Sequence, residues 1–159
     1  MRTDLKKEAR HIFEAGLRAV DPIEAVKRFL TLEKDTLVLG EQKLDLKDFE
    51  GIWAIGAGKA SAAMAQAVEE VLGDRISGGL IIVKYDHLAP LRKIRLVEAG
   101  HPTPDENGWR ATKELVRLVE NLGHQDLVLF CSLGEAQLSC QCRWRESPWL
   151  RKWPPPTCF

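Results

Sequence analysis

The residues with the clearest chemical potential are Gly56-Ala57-Gly58-Lys59-Ala60-Ser61. Two glycines let a backbone turn sharply and approach a ligand closely. A helix opening just after them presents unpaired N–H groups and a partial positive charge, which suits a phosphate or a carboxylate. Lys59 adds a mobile full charge at the same point. The pattern is not GxxxxGK[ST], because too few residues precede the lysine. It is not GxGxxG either, because Ala62-Ala63 stand near the third glycine position. A tight strand-to-helix turn with a solvated lysine would look the same, and the pattern alone leaves both readings open.

A second group runs Glu98-Ala99-Gly100-His101-Pro102-Thr103-Pro104-Asp105-Glu106-Asn107-Gly108. Its two prolines stiffen the segment. His101 is a candidate donor to an anionic ligand. Asp105 is a candidate binding residue too, although Thr103 or Asp105 could equally cap a following helix. Lys84-Tyr85-Asp86-His87 suits either a cleft lining or a solvent-facing loop, and Gly78-Gly79 looks like turn chemistry. No serine–histidine–acid order and no carboxylate pair stands out.

These groups need elements to hold them. Ile52 to Gly56 is a short apolar run that fits a strand buried on both faces. Residues 60–72 are alanine-rich and predict a helix. Gly79 to Val83, Ile94 to Val97 and Asp126 to Phe130 predict three more strands. Asp105 to Leu122 predicts a long amphipathic helix with Leu115, Leu118, Val119 and Leu122 on its inner face. Alternation of this kind implies an α/β domain, a Rossmann-like mainly parallel sheet with helices on both faces. The glycine loop and the His101 loop then share the C-terminal edge of the sheet, where such folds bind ligands.

Upstream, Leu5, Ala9, Ile12, Phe13, Leu17 and Val20 share a helical face. Asp21-Pro22 predicts a capped second helix running to about Leu30. Thr36 to Leu39 and Lys43 to Leu46 flank a turn and predict an edge hairpin. The leading helices are expected to pack beside the sheet.

The chain has 159 residues, with 23 basic and 23 acidic side chains. Zero net charge argues against a nucleic-acid or polybasic membrane role. The N-terminal residues carry charges every few positions, with no apolar run long enough for a signal peptide or a span, which points to the cytoplasm. Cys131, Cys140, Cys142 and Cys158 form no CxxC pair, and no histidine completes a zinc-like spacing, so no metal site is expected.

All four cysteines, three of five tryptophans and four of eight prolines fall in residues 131–159. This stretch lacks valine and isoleucine and shows no helical or strand period. In a shifted frame, taking the third base of one codon with the first two of the next, permitted codons for Cys131 to Pro156 can spell LSGGGSALLPVPVEGITLAEKVAAT. We therefore expect two parts: residues 1–130 as the front of a domain incomplete at its C-terminus, and 131–159 as an atypical, frameshifted tail.

Taken together, IWAIGAGKASAAMA (Ile52 to Ala65), EAGHPTPDENG (Glu98 to Gly108) and DLVLF (Asp126 to Phe130) resemble the glycerate 2-kinase family, whose C-terminal part is called the MOFRL domain. In that family the last strand leads into an (I/L)SGGGSAL loop, which the shifted frame supplies here. The resemblance implies ATP-dependent phosphoryl transfer to D-glycerate, giving 2-phosphoglycerate, with ATP and magnesium as cofactors. It implies a catalytic role for Lys59, while Gly56, Gly58, Ala60, Ser61, His101 and Asp105 are expected to bind phosphate or substrate. Where the family has SGGGS, this chain has Cys131-Ser132-Leu133-Gly134-Glu135. Without what the family draws from downstream, the polypeptide is expected to be inactive alone. Two alternatives remain: a non-catalytic anion- or nucleotide-binding module, and a hydroxypyruvate reductase-like oxidoreductase. The second wants an acidic residue closing a strand about 20 residues after the glycine turn, and Glu69, Glu70 and Asp74 fall in or just after a helix instead.

Overall fold

A computed structural model describes residues 4–132. Of the tail expected over 131–159, Cys131 and Ser132 continue the last strand, against the expectation that the tail lacks regular structure; the rest, with the shifted frame, lies outside the described residues. The chain opens with α1 (Leu5–Ala19) and α2 (Pro22–Phe29), followed by β1 (Leu30–Glu33), β2 (Thr36–Leu39) and β3 (Gln42–Asp45). Then come β4 (Gly51–Ala57), α3 (Ser61–Leu72), β5 (Gly78–Lys84), β6 (Ile94–Ala99), α4 (Glu106–Glu120) and β7 (Asp126–Ser132).

The expected parallel sheet is present. Its four strands run in the order β6-β5-β4-β7, and every pairing is parallel. Successive residues of β5 point to opposite faces, as the strand period demands. Ile81 and Val83 pack with Ala62, Ala65 and Val68 of α3, whereas Ile82 packs with Ala111 of α4. The sheet is therefore covered by a helix on each face. Gly78 and Gly79 open β5 rather than forming a turn, because their backbones pair with Trp53 and Ala54.

Asp21 caps α2 as expected, its Oδ1 accepting from the N–H groups of Ile23 (2.8 Å) and Glu24 (3.3 Å). Two other expectations need correction. The hairpin is part of a three-stranded antiparallel sheet, since β1 begins where α2 ends and pairs with β2. Leu30, Leu37 and Leu46 of this region join the core beneath α3. The inner face of α4 is Gly108, Ala111 and Thr112, with Leu115 packed alongside, while Val119 is 40% exposed. Small residues sit inward where α4 packs with Ile82 and Ala99, and Leu118 and Leu122 are half-buried.

Of the leading helices, α2 packs on α3 and its Lys27 forms an ion pair with Glu70 at 2.6 Å. Helix α1 touches only α2 among the larger contacts and buries no residue. The far end of α3 is pinned differently. Buried Glu69 accepts from the backbone N–H groups of Arg92 (2.8 Å), Lys93 (2.6 Å) and Ile94 (3.2 Å). Burial would raise its carboxyl, but those three donors together hold it below the usual carboxylate range.

Candidate functional site

Strand β4 carries the glycine loop to the C-terminal edge of the sheet. From β4 the chain moves to β5 and β6 on one side, and β7 then adds on the other. The strand order thus reverses at the end of β4, where open α/β sheets form their ligand crevice.

The local sequence is fitted to that place. A Cβ on Gly56 would stand 1.9 Å from the carbonyl oxygen of Cys131, so only glycine lets β7 lie this close. Gly58 has φ of 127°, a conformation side-chain-bearing residues rarely adopt. Its N–H donates to the Ile82 carbonyl at 3.0 Å, and its own carbonyl accepts from Ser61 at 3.2 Å. The turn is thereby tied both to β5 and to the first residue of α3.

Helix α3 starts differently from α2 and α4, since no side chain caps it and its N-cap position is Ala60. The Ser61 N–H is taken by the Gly58 carbonyl and that of Met64 by Ala60, while Ala62 and Ala63 stand where a helix start offers no carbonyl a full turn back. Ser61 is fully buried, and its Oγ has no hydrogen-bond partner among the described residues. A buried hydroxyl without a partner costs free energy unless something else satisfies it. Lys59 is exposed at the lip of this loop. An uncapped helix start, a buried hydroxyl and a lysine together can receive an anion.

The His101 loop leaves β6, one strand beyond β5, so the two loops share an edge about 10 Å apart at the level of the strands. His101 is half-buried and follows Gly100 directly after β6. Asp105 takes the capping role. Its Oδ1 accepts from the Gly108 N–H at 2.9 Å, and its Oδ2 accepts from the Tyr85 hydroxyl at 2.6 Å. These bonds, the Tyr85 one foremost, hold its carboxyl below the usual range. A carboxylate so engaged braces the loop and does not itself attract an anion. The structure therefore brings Gly56, Gly58, Lys59, Ala60 and Ser61 together at the end of β4, while His101 and Asp105 stand on the same sheet edge two strands away, after β6.

Tyr85 escaped the sequence reading as a structural part. It closes β5, donates to Asp105 and accepts from the Asn107 side chain at 2.9 Å. Beside it Asp86 has φ of 64°, and its N–H donates to Glu98 Oε1 at 2.7 Å. The available signal was a tyrosine immediately after a buried strand. Among the described residues there is no group of three His, Cys, Asp or Glu side chains able to hold a metal, and no helix long and apolar enough to cross a membrane. Cys131 is buried, which pushes its thiol up to about 11.

Residues 8–140 match the family described as domain of unknown function DUF4147. The D-glycerate 2-kinase of Thermotoga maritima is 37% identical over 132 residues, covering 82% of this chain and 28% of that protein. A protein of Agrobacterium vitis named for hydroxypyruvate reductase is 34% identical over 121 residues, covering 76% of this chain and 24% of its own. The crystal structure of glycerate kinase from Thermotoga maritima superposes with a TM-score of 0.61 at 35% identity, covering 79% of this chain and 27% of that one. The chain thus spans roughly a quarter of the length of these relatives.

Proposed function

The chain belongs to the glycerate kinase family and carries its DUF4147 domain, and from that membership we propose that its glycine loop serves ATP-dependent phosphoryl transfer to D-glycerate. The observation that carries this reading is the uncapped start of α3 at the crevice, with the buried Ser61 hydroxyl beneath it. Phosphoryl transfer asks a protein for alignment and charge stabilisation more than for covalent chemistry. The N–H groups in the first turn of α3, beyond Ser61, hold an anionic oxygen, and Lys59 neutralises charge that grows on the transferred group or holds the glycerate carboxylate. Ser61 brings a buried hydroxyl, without a hydrogen-bond partner among the described residues, to the same helix start. His101 donates to the same ligand from the loop after β6, and Asp105 keeps that loop in place through Tyr85 and the start of α4.

ATP supplies the phosphoryl group. The residues present fit its anionic part, and they offer no carboxylate cluster for magnesium. Magnesium bound with ATP would neutralise phosphate charge, and among the described residues no group of three His, Cys, Asp or Glu side chains is placed to hold it. The reductase label on one relative does not change the reading, because nothing here meets the requirement of a third glycine. We place the enzyme in the cytoplasm. We also propose that codons after 130 are read out of frame and that the shifted text supplies the SGGGS loop. Nucleotide sequence in independent reads decides the frame.

Binding, rather than turnover, tests the site in this chain. In titration calorimetry with D-glycerate and with MgATP, at least one ligand should bind, and Lys59→Ala should weaken it about 10- to 100-fold, the worth of one charged hydrogen bond. No heat from either ligand, or an affinity indifferent to Lys59, refutes the assignment.

A further inference from the structure

Lys84 closes β5, the strand that lies between the glycine loop and the His101 loop. The register fixes where it stands. Ala57, the last residue before Gly58, pairs with Ile82, and Lys84 pairs with Ala99, the last residue before Gly100-His101. Neighbouring strands lie about 4.8 Å apart. Lys84 is therefore one strand from each loop, at the edge both share.

Its direction follows from the strand period. Ile82 packs with Ala57, Ala99 and Ala111 on the α4 side of the sheet. Lys84, two residues on, leaves the same face. The Gly58 N–H donates to the Ile82 carbonyl at 3.0 Å, so the glycine turn is tied to the stretch of β5 from which Lys84 rises.

The charge of Lys84 is not neutralised within the described chain. The residue is half-buried, and its ammonium makes no ion pair or hydrogen bond with the described residues. The nearby carboxylates are engaged elsewhere. Glu98 accepts from the Asp86 N–H at 2.7 Å, Asp105 accepts from Tyr85 and Gly108, and Glu106 pairs with Arg110 at 2.6 Å. Asp86 itself is exposed, on a left-handed turn beyond the strand. A cation drawn partly out of water without a counter-charge gains when an anion comes to it. An anion that reaches both Lys59 and Lys84 spans adjacent strands, so it carries charge at more than one point. A phosphate chain does this, and a single carboxylate does not.

We propose that Lys84 is a second cationic binding residue of the crevice and takes the phosphate chain of ATP, whose other end lies at Lys59 and the start of α3. This rests on the anion-site reading above.

Titration calorimetry on the full 159-residue chain tests it, with MgATP, inorganic tripolyphosphate and D-glycerate, beside the melting temperature of each variant. Lys84→Gln keeps most of the stem without the charge, and should weaken MgATP and tripolyphosphate about 10-fold with the melting temperature unmoved. Lys84→Arg keeps the charge and should retain most of the affinity, and D-glycerate should bind Lys84→Gln as it binds wild type. If wild type binds neither phosphate ligand, the phosphate site falls and this inference with it. If Lys59→Ala weakens binding and Lys84→Gln does not, the Lys84 head only extends into water, and this inference alone is overturned. Equal weakening of D-glycerate overturns it too, as does a loss of affinity that comes with a lower melting temperature and that Lys84→Arg fails to restore.

Discussion

Removing the Glu69 carboxylate tests how α3, and the anion site at its other end, is held in register with the sheet. The side chain is 5% exposed and satisfies three backbone donors just before and at the start of β6. In Glu69→Ala, the buried Ile94 N–H is left without an acceptor, at about 1–3 kcal/mol. The N–H groups of Arg92 and Lys93 are only part-buried and recover water, so each costs about 0.5–1 kcal/mol. The total, about 2–5 kcal/mol, is a large share of the 5–15 kcal/mol typical of a domain. Glu69→Gln keeps Oε1 for Lys93 and Ile94 but turns an amide N–H₂ toward the Arg92 donor, and should cost about 1–2 kcal/mol. Because the folded-state carboxyl titrates below its ordinary value, its contribution is complete above the unfolded pKa near 4.3 and fades as pH falls through the folded one. The gap between wild type and Glu69→Gln should therefore be full at pH 6 and shrink below about pH 4. Urea denaturation at constant m value measures each quantity. An alanine variant within 0.5 kcal/mol of wild type, or a gap that persists in acid, would show that these N–H groups find other acceptors and that the pin is incidental.

Three further outcomes follow from the geometry. Gly56→Ala should force β7 away from β4, costing about 3 kcal/mol or more and abolishing anion binding; a wild-type melting temperature would mean the strands can part without loss. Tyr85→Phe should let the Asp105 carboxyl titrate nearer its ordinary value and speed amide exchange at Gly108, both read by NMR; an unmoved titration would assign the depressed value to the helix cap alone. Asp21→Ala should cost about 1 kcal/mol, and Asp21→Asn much less, because the loss is of an acceptor more than of a charge.

Much of this was legible because single residues carried strong local rules. Asp21-Pro22 states a helix start, and Ile52 to Gly56 is too short and too apolar for anything but an internal strand. The glycine loop could be placed at the sheet edge as soon as the strands were taken as parallel. The misses share a cause. Leu30 to Glu33 and the inner face of α4 depend on partners far along the chain, which periodicity does not report. Asp105 was legible as a cap by its position, but the role of Tyr85 needed β5 and α4 to be brought side by side. Glu69 was placed inside the predicted 60–72 helix and given no partner, and only the β5–β6 connection, more than twenty residues later, makes it an acceptor for three donors.

The strand order also sets a sequence of assembly. Trp53 finds Gly78 after a short excursion, whereas Gly51 must await Asp126, a loop about three times longer. Closing it costs roughly 1 kcal/mol more in chain entropy, and local pairings form sooner than distant ones. Strands β4, β5 and β6 can therefore associate while β7 is still loose. The glycine loop joins β4 to α3 and is tied to β5 through the Gly58 N–H, so the anion site is built before β7 reaches β4. An anion bound there adds its free energy to the β4–β5–β6 unit, and β7 docks beside a site already made.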